Sequence, residues 1–167
     1  RGGIETLVHC DLSPRMAALA PRPAVVGDEE ALPFAEGAFD LVLSSLSLHW
    51  VNDLPGSLTQ IRRALKPDGL FLAAMPGGQT LKELRQALAE AEIAEEGGLS
   101  PRISPFVEVR DAGNLLVRAG FALPVADLET ITVSYPDPLS LVRDLRGAGE
   151  ANAVIERRRQ PSRRATL

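Results

Sequence analysis

Three short stretches of this 167-residue sequence end in residues that could do chemistry. Asp11 follows an apolar stretch that runs up to His9 and Cys10. Asp28 and Glu29 follow a second, over 24–27, and Ser44-Ser45 closes a third, over 39–45, ahead of Leu46-Ser47-Leu48-His49-Trp50. A carboxylate such as Asp11 at a strand end can accept two charge-assisted hydrogen bonds from the vicinal hydroxyls of a ribose, which is a strong and directional contact. Equally, it can serve as a helix-entry cap beside Ser13. At Asp28 a carboxylate can accept from the amino group of an adenine while a backbone N–H meets the ring. The simpler reading of Asp28-Glu29-Glu30 is a solvated acidic turn. Small side chains at Ser44 and Ser45 let a ligand approach the backbone, and His49 and Trp50 either line a reaction pocket or pack at the sheet edge. His49 is the one candidate for a general base.

Other chemistry-bearing residues read as structure. His9 and Cys10 sit within a strand, as core or half-buried positions. Glu90, Glu92, Glu95 and Glu96 read as a solvated helix face. Arg157, Arg158, Arg159, Arg163 and Arg164 lack interleaved aromatics, so they read as an exposed helix face and not as a nucleic-acid surface. Gly77-Gly78 belongs to neither GxxxxGK[ST] nor GxGxxG, so it is not a phosphate loop.

The elements that must position these residues alternate. Strands are expected over 4–9, 24–27, 39–45 and 70–75, with 39–45 apolar enough to be buried on both faces. Ser13-Pro14 starts a short helix that stops before Pro21 and Pro23. Asn52 or Asp53 caps a helix whose Leu54, Leu58, Ile61 and Leu65 share one face. Residues 66–69 (KPDG) form a turn. Thr80 and Glu83 have capping-box spacing for a helix that Gly97-Gly98 breaks. Residues 100–106 are a loop, Gly120 stops a helix through Leu115 and Leu116, and one or two strands are expected within 121–135. Asp137-Pro138 caps a last helix. Alternation of this kind predicts an α/β fold, a doubly wound and mostly parallel sheet with helices on both faces. Its ligands bind beyond the carboxyl ends of the strands, and Asp11, Asp28 and Ser44 are expected to cluster there.

Composition sets limits on the rest. The chain is long enough for one core, and 45% apolar residues fit a globular domain. A balance of 18 basic against 22 acidic side chains gives no general argument for nucleic acid or an anionic membrane. The single cysteine cannot close an internal disulfide, and with only two histidines no metal site is expected. A reducing, cytoplasmic home is expected. No apolar run approaches the ~18 residues of a membrane span. The chain opens on Arg1 and not on Met, so the numbering is expected to begin inside a longer protein.

Three segments carry a family likeness: VVGDEEALPF (25–34), FDLVLSSLSLHWVNDLPGSLTQIRRALKPDGLFLAAM (39–75) and GGLSPRISPFVEVRDAGNLLVRAGFALPVAD (97–127). They resemble class I methyltransferases of the methyltransferase-11 type. The nearest branch is that of the mitochondrial complex I assembly factor described as an arginine hydroxylase, with its bacterial relatives. The malonyl-acyl-carrier-protein methyltransferase of biotin synthesis is more distant. KPDG before an apolar strand is common to many methyltransferases, whereas LSSLSLHWVNDLPG and SPRISPF are narrower. The likeness covers roughly residues 7–152, so residues 1–152 are expected to be a partial methyltransferase domain, and 153–167 a basic segment, either a clipped helix or a tail.

The resemblance implies S-adenosyl-L-methionine as cofactor, with Asp11 at the ribose, Asp28 near the adenine, Glu29 and Ala31 flanking it, and Ser44 and Ser45 beside the methionine portion. It implies methyl transfer to a small-molecule, acyl-carrier or protein substrate. The alternative is a protein-modifying assembly role of the arginine-hydroxylase kind, and the third reading is a nicotinamide oxidoreductase, whose ribose Asp11 would serve equally well. A eukaryotic source would imply the mitochondrial matrix. The family's first strand and its glycine-rich loop have no counterpart after Arg1. Those backbone donors hold the methionine end, so the 167 residues alone are expected to bind the cofactor weakly or not at all.

Overall fold

The computed structural model describes residues 3–150 and Arg157. Apart from Arg157, the expected basic segment 153–167 lies outside the described residues. The chain divides into two compact units, residues 1–75 with 110–125, and residues 76–109 with 126–167.

The first unit holds two strand–helix–strand pairs. In the first pair, β1 (His9–Asp11) and β2 (Ala24–Val26) run parallel, with His9 opposite Ala24 and Asp11 opposite Val26. Between them α1 (Pro14–Leu19) starts as the local sequence requires: proline occupies its first turn and the Ser13 hydroxyl accepts from the Met16 N–H at 3.4 Å. The strand expected over 4–9 forms over His9–Asp11 instead, because a ladder extends only as far as its partner and β2 has three residues.

In the second pair, β3 (Phe39–Ser45) and β4 (Leu65–Ala74) are parallel, joined by a 3-10 turn at Leu48–Trp50 and by α2 (Leu54–Ala64). Asp53 caps α2 by accepting from the Gly56 N–H at 2.9 Å. The apolar spacing then buries Leu58 and Ile61. KPDG is an irregularity inside β4 and not a turn ahead of it. The register jumps from Phe39–Leu65 to Leu41–Leu70, and Asp68 takes a left-handed φ of 59°.

Among the described residues three further helices follow: α3 (Lys82–Glu96), α4 (Val109–Arg118) and α5 (Pro138–Gly147). The core of the first unit is Leu48, Leu58, Ile61 and Leu65, with Val42, Phe71, Leu115, Leu116 and Phe121 against it. The Phe71 and Phe121 rings stack at 5.5 Å. Gly120, at φ 90°, ends the α4 region as expected.

Among the described residues the parallel strands are present, but as two separate two-stranded sheets. The expectation that 39–45 is buried on both faces needs correcting. Val42 and its partner Phe71 pack on the core, whereas the opposite face carries Leu41 opposite Leu70 and Leu43 opposite Leu72, all four exposed. Leu43 retains 59% of its surface and Leu72 49%, so among the described residues nothing covers that side.

In the second unit, α3 begins differently from the capping-box expectation. The residue ahead of it is Leu81 at φ 56°, with no side-chain cap. A Thr cap needs extended backbone immediately before the first helical turn, and Thr80 lies one position too early. Its N–H instead closes a turn on the Gly77 carbonyl at 2.8 Å. Gly97 ends α3 at φ 68°, and Asp137 caps α5 through the Ser140 N–H at 2.9 Å, both as read. Residues 121–135 form no strand. Ile131 and Val133 have strand-like composition but no partner ladder among the described residues, and both are exposed.

Within the glutamate face, Glu90 and Glu95 are exposed as read, but Glu92 is not. It is 2% exposed. Its Oε1 accepts from the Ser100 hydroxyl at 2.6 Å and the Arg102 Nε at 2.8 Å, and its Oε2 accepts from the Ser100 N–H at 2.9 Å. Burial alone would raise its pKa. The Ser100 donors and the Arg102 guanidinium outweigh that and hold it at about 2. The glutamate thereby ties the SPRISP loop back onto α3.

Candidate functional site

Parallel pairing of β1 and β2 puts their carboxyl ends side by side. The Gly27 N–H donates to the Asp11 carbonyl at 3.2 Å, which sets Asp11 next to the loop carrying Asp28. Each aspartate secures its own turn. Asp11 Oδ1 accepts from the Ser13 N–H at 2.8 Å, and Asp28 Oδ1 accepts from the Glu30 N–H at 2.8 Å. Both residues are half-buried, and in each the second carboxylate oxygen has no hydrogen-bond partner among the described residues. The helix-entry role of Asp11 and its availability to a ligand are therefore compatible: one oxygen does each.

Gly27 sits in a close approach that admits no side chain. A Cβ there would lie 2.8 Å from Cys10 Sγ and 2.9 Å from the Pro33 ring. Cys10 is an exposed residue and not a core one, since its strand is the edge of a two-stranded sheet. Partial burial of the thiol, then the charges of Glu29 and Asp11, push its pKa up, so it stays protonated at neutral pH.

The loop after β2 is bound to the loop after β3. Glu29 Oε1 accepts from the Ser47 hydroxyl at 2.7 Å. Glu30 accepts from the Asp53 N–H and, at 3.4 Å, from Asn52 Nδ2, so its carboxylate lies against the start of α2. The acidic turn is thus half-buried and bonded, not simply solvated. Ala31, exposed, closes the turn with its N–H on the Asp28 carbonyl at 3.0 Å.

Ser44 and Ser45 end β3 opposite Ala73 and Ala74. They face opposite sides of the strand, Ser44 with Val42 and Ser45, exposed, with Leu43. The Ser44 Oγ is buried without a hydrogen-bond partner among the described residues. His49 is half-buried in the 3-10 turn with its ring centroid 5.0 Å from that of Trp50. The strand ends therefore gather Asp11, Asp28, Glu29 and Ala31 around one pair of strands, with the β3 exit joined to them through Ser47.

Gln60, on α2, was not singled out by sequence reasoning. Its amide bonds the Leu32 N–H and the Glu30 carbonyl at once. The one signal in the sequence is that Gln60 shares a helix side with the buried Ser57 and Ala64.

Comparison with known proteins places this geometry. A family model described as "Methyltransferase domain" (Methyltransf_11) matches residues 1–73. The chain is 54% identical over 138 residues to a zebrafish (Danio rerio) protein named "Arginine-hydroxylase NDUFAF5, mitochondrial", covering 83% of this chain and 43% of that one. It is 41% identical to the malonyl-[acyl-carrier protein] O-methyltransferase of Xylella fastidiosa, covering 83% of this chain and 45% of that one. Among solved structures it resembles a SAM-dependent methyltransferase of Thermotoga maritima, with a TM-score of 0.54 at 22% identity over 68% of this chain and 54% of that one. The chain thus spans less than half the length of the two curated relatives. Residues 1–73 thus match a methyltransferase-domain model, and the chain shares the Rossmann-like fold of the SAM-dependent methyltransferases.

Proposed function

We propose that these residues form the nucleoside-facing part of an S-adenosyl-L-methionine site, and that the protein is a methyltransferase acting on a small-molecule, acyl-carrier or protein substrate. The observation that carries the reading is the pairing of Asp11 and Asp28 at adjacent strand ends, each with one carboxylate oxygen engaged by its own turn and one available. The buried Ser44 hydroxyl, with no partner among the described residues, fits a polar ligand group arriving at the end of β3. Asp11 holds the ribose hydroxyls and Asp28 the adenine amino group. Glu29, fixed by Ser47, and Ala31 flank the ring, while Ser44 and Ser45 leave room beside the backbone. When bound, the cofactor supplies an activated methyl group on a sulfonium, so the protein's main task is alignment of donor and acceptor. His49 is the residue proposed to take a proton from the acceptor.

Arginine hydroxylation is the second reading, favoured by 54% identity to the zebrafish protein of that name. The mitochondrial label on that relative makes the mitochondrial matrix the proposed home in a eukaryote and the cytoplasm otherwise. Among the described residues no helix is long and apolar enough to cross a membrane.

The test uses the chain preceded by a glycine-rich strand and loop, referred to below as the extended protein. It should bind S-adenosylhomocysteine in calorimetry. With S-adenosyl-L-methionine it should add the mass of a methyl group to malonyl-acyl-carrier protein or to an arginine-containing peptide; addition of an oxygen atom to the peptide instead, in a parallel assay supplied with dioxygen and a two-electron reductant, selects the second reading. Absence of S-adenosylhomocysteine binding would sink both. His49→Ala should leave that binding nearly intact and lower product formation; normal turnover would make the His49 ring a packing group.

A further inference from the structure

We infer that Gln60 is a positioning residue for the purine-facing loop, an inference that rests on the cofactor reading above. Gln60 Oε1 accepts from the Leu32 N–H at 2.9 Å and Gln60 Nε2 donates to the Glu30 carbonyl at 2.7 Å. One side-chain amide therefore pairs with the backbone of alternate residues, as a neighbouring β-strand would, across sequence gaps of 28 and 30 residues. Only a group with both an acceptor and a donor at that spacing satisfies both ends. Glutamate has no donor for the carbonyl, and an apolar residue has neither group.

The clamped segment is the one that carries the site. Within it the Glu30 N–H is held by Asp28, and the Ala31 N–H closes on the Asp28 carbonyl. The Leu32 side chain packs against the core, and the Glu30 carboxylate meets the start of α2. Residues 28–32 are short and form no regular ladder beyond the single Asp28–Ala31 bridge. Their path is thus set from outside, and Gln60 fixes the Glu30 carbonyl and the Leu32 N–H on either side of Ala31. With that path set, the second oxygen of Asp28 is positioned from α2, through Gln60 on its side and through the Glu30 carboxylate at its start.

The experiment has two arms. In the 167-residue chain, hydrogen exchange at the Leu32 amide should speed up about tenfold or more in Gln60→Ala, with the Val42 amide of β3 unchanged. Gln60→Glu, which keeps the acceptor and sets a carboxylate oxygen against the Glu30 carbonyl, should protect Leu32 better than Gln60→Ala does. In the extended protein, Gln60→Ala should weaken S-adenosylhomocysteine binding about tenfold. It should also narrow the preference for S-adenosylhomocysteine over S-inosylhomocysteine, in which an oxo group replaces the adenine amino group. Unchanged Leu32 exchange overturns the clamp. Faster exchange with an unchanged preference between the two nucleosides also overturns the inference, leaving Gln60 as a packing residue of α2. If the unsubstituted extended protein binds neither nucleoside, the cofactor reading falls and the positioning role falls with it. The Leu32 exchange then reports separately on the clamp.

Discussion

Glu92→Gln should destabilise the 167-residue chain by about 3 kcal/mol at neutral pH, read as a lower urea midpoint with an unchanged slope. The change keeps the shape of the side chain and removes its charge, leaving the Arg102 guanidinium, 17% exposed, beside a neutral amide. Removing the charge from one side of a buried pair typically costs about 3–5 kcal/mol, and the partial access of Arg102 to water sets the lower figure. The pH dependence separates this effect from general loosening. The folded pKa of Glu92, about 2, lies below its ordinary value of 4.5. Its contribution is therefore fully present above about pH 4.5 and lost as the pH falls toward 2. Subtracting the Glu92→Gln stability profile from that of the parent cancels the other carboxylates and should leave a difference that vanishes across that window. A difference flat with pH, or none at pH 7, would show that the cluster makes no net contribution.

Asp11→Ala should lower the affinity of the extended protein for S-adenosylhomocysteine at least ~10-fold, equivalent to ~1.4 kcal/mol. Hydrogen bonds to a charged group contribute ~1.5–3 kcal/mol each, and the half-exposed setting of the strand end puts the expected loss near the low end. Because Asp11 also holds the Ser13 N–H at the entry to α1, alanine removes a structural bond together with the binding contact. Asp11→Asn distinguishes the two. Its amide oxygen can still accept from Ser13 while the charge offered to the ribose is gone. Affinity between those of wild type and Asp11→Ala, with thermal stability close to wild type, is the expected outcome. If both variants bind as tightly as the parent, Asp11 is only a helix-entry residue and the ribose assignment is wrong.

What the sequence made legible was largely what neighbouring residues decide. Ser13, Asp53 and Asp137 were readable as helix entries because each bonds a backbone N–H three positions ahead, within its own turn. The strand at Phe39–Ser45 and the helix face of Leu58 and Ile61 followed from periodicity. Asp11 and Asp28 were expected at adjacent strand ends because consecutive strands in such folds commonly pair, and β1 and β2 do. The failures share a different physics. Glu92 was read with its helix neighbours, yet its environment comes from Ser100 and Arg102 across a loop. Gln60 acts on residues 28 and 30 positions away, beyond the reach of any local pattern. Thr80 and Glu83 had the right spacing, but the left-handed backbone of Leu81 moved the helix start by one residue. Ile131–Val133 had strand chemistry without a partner, and partnership makes the strand.

The four leucines on the open side of β3 and β4 also bear on how this polypeptide behaves in solution. Leu41 against Leu70 and Leu43 against Leu72 form two adjacent rungs of exposed aliphatic surface. Association through such a surface is driven by release of water, so it strengthens on warming from the cold and in sulfate or phosphate, and relaxes on chilling. Any self-association of the isolated chain through this face should therefore respond to temperature in the opposite sense from an assembly held by ion pairs, and cold, low-sulfate conditions should suppress it.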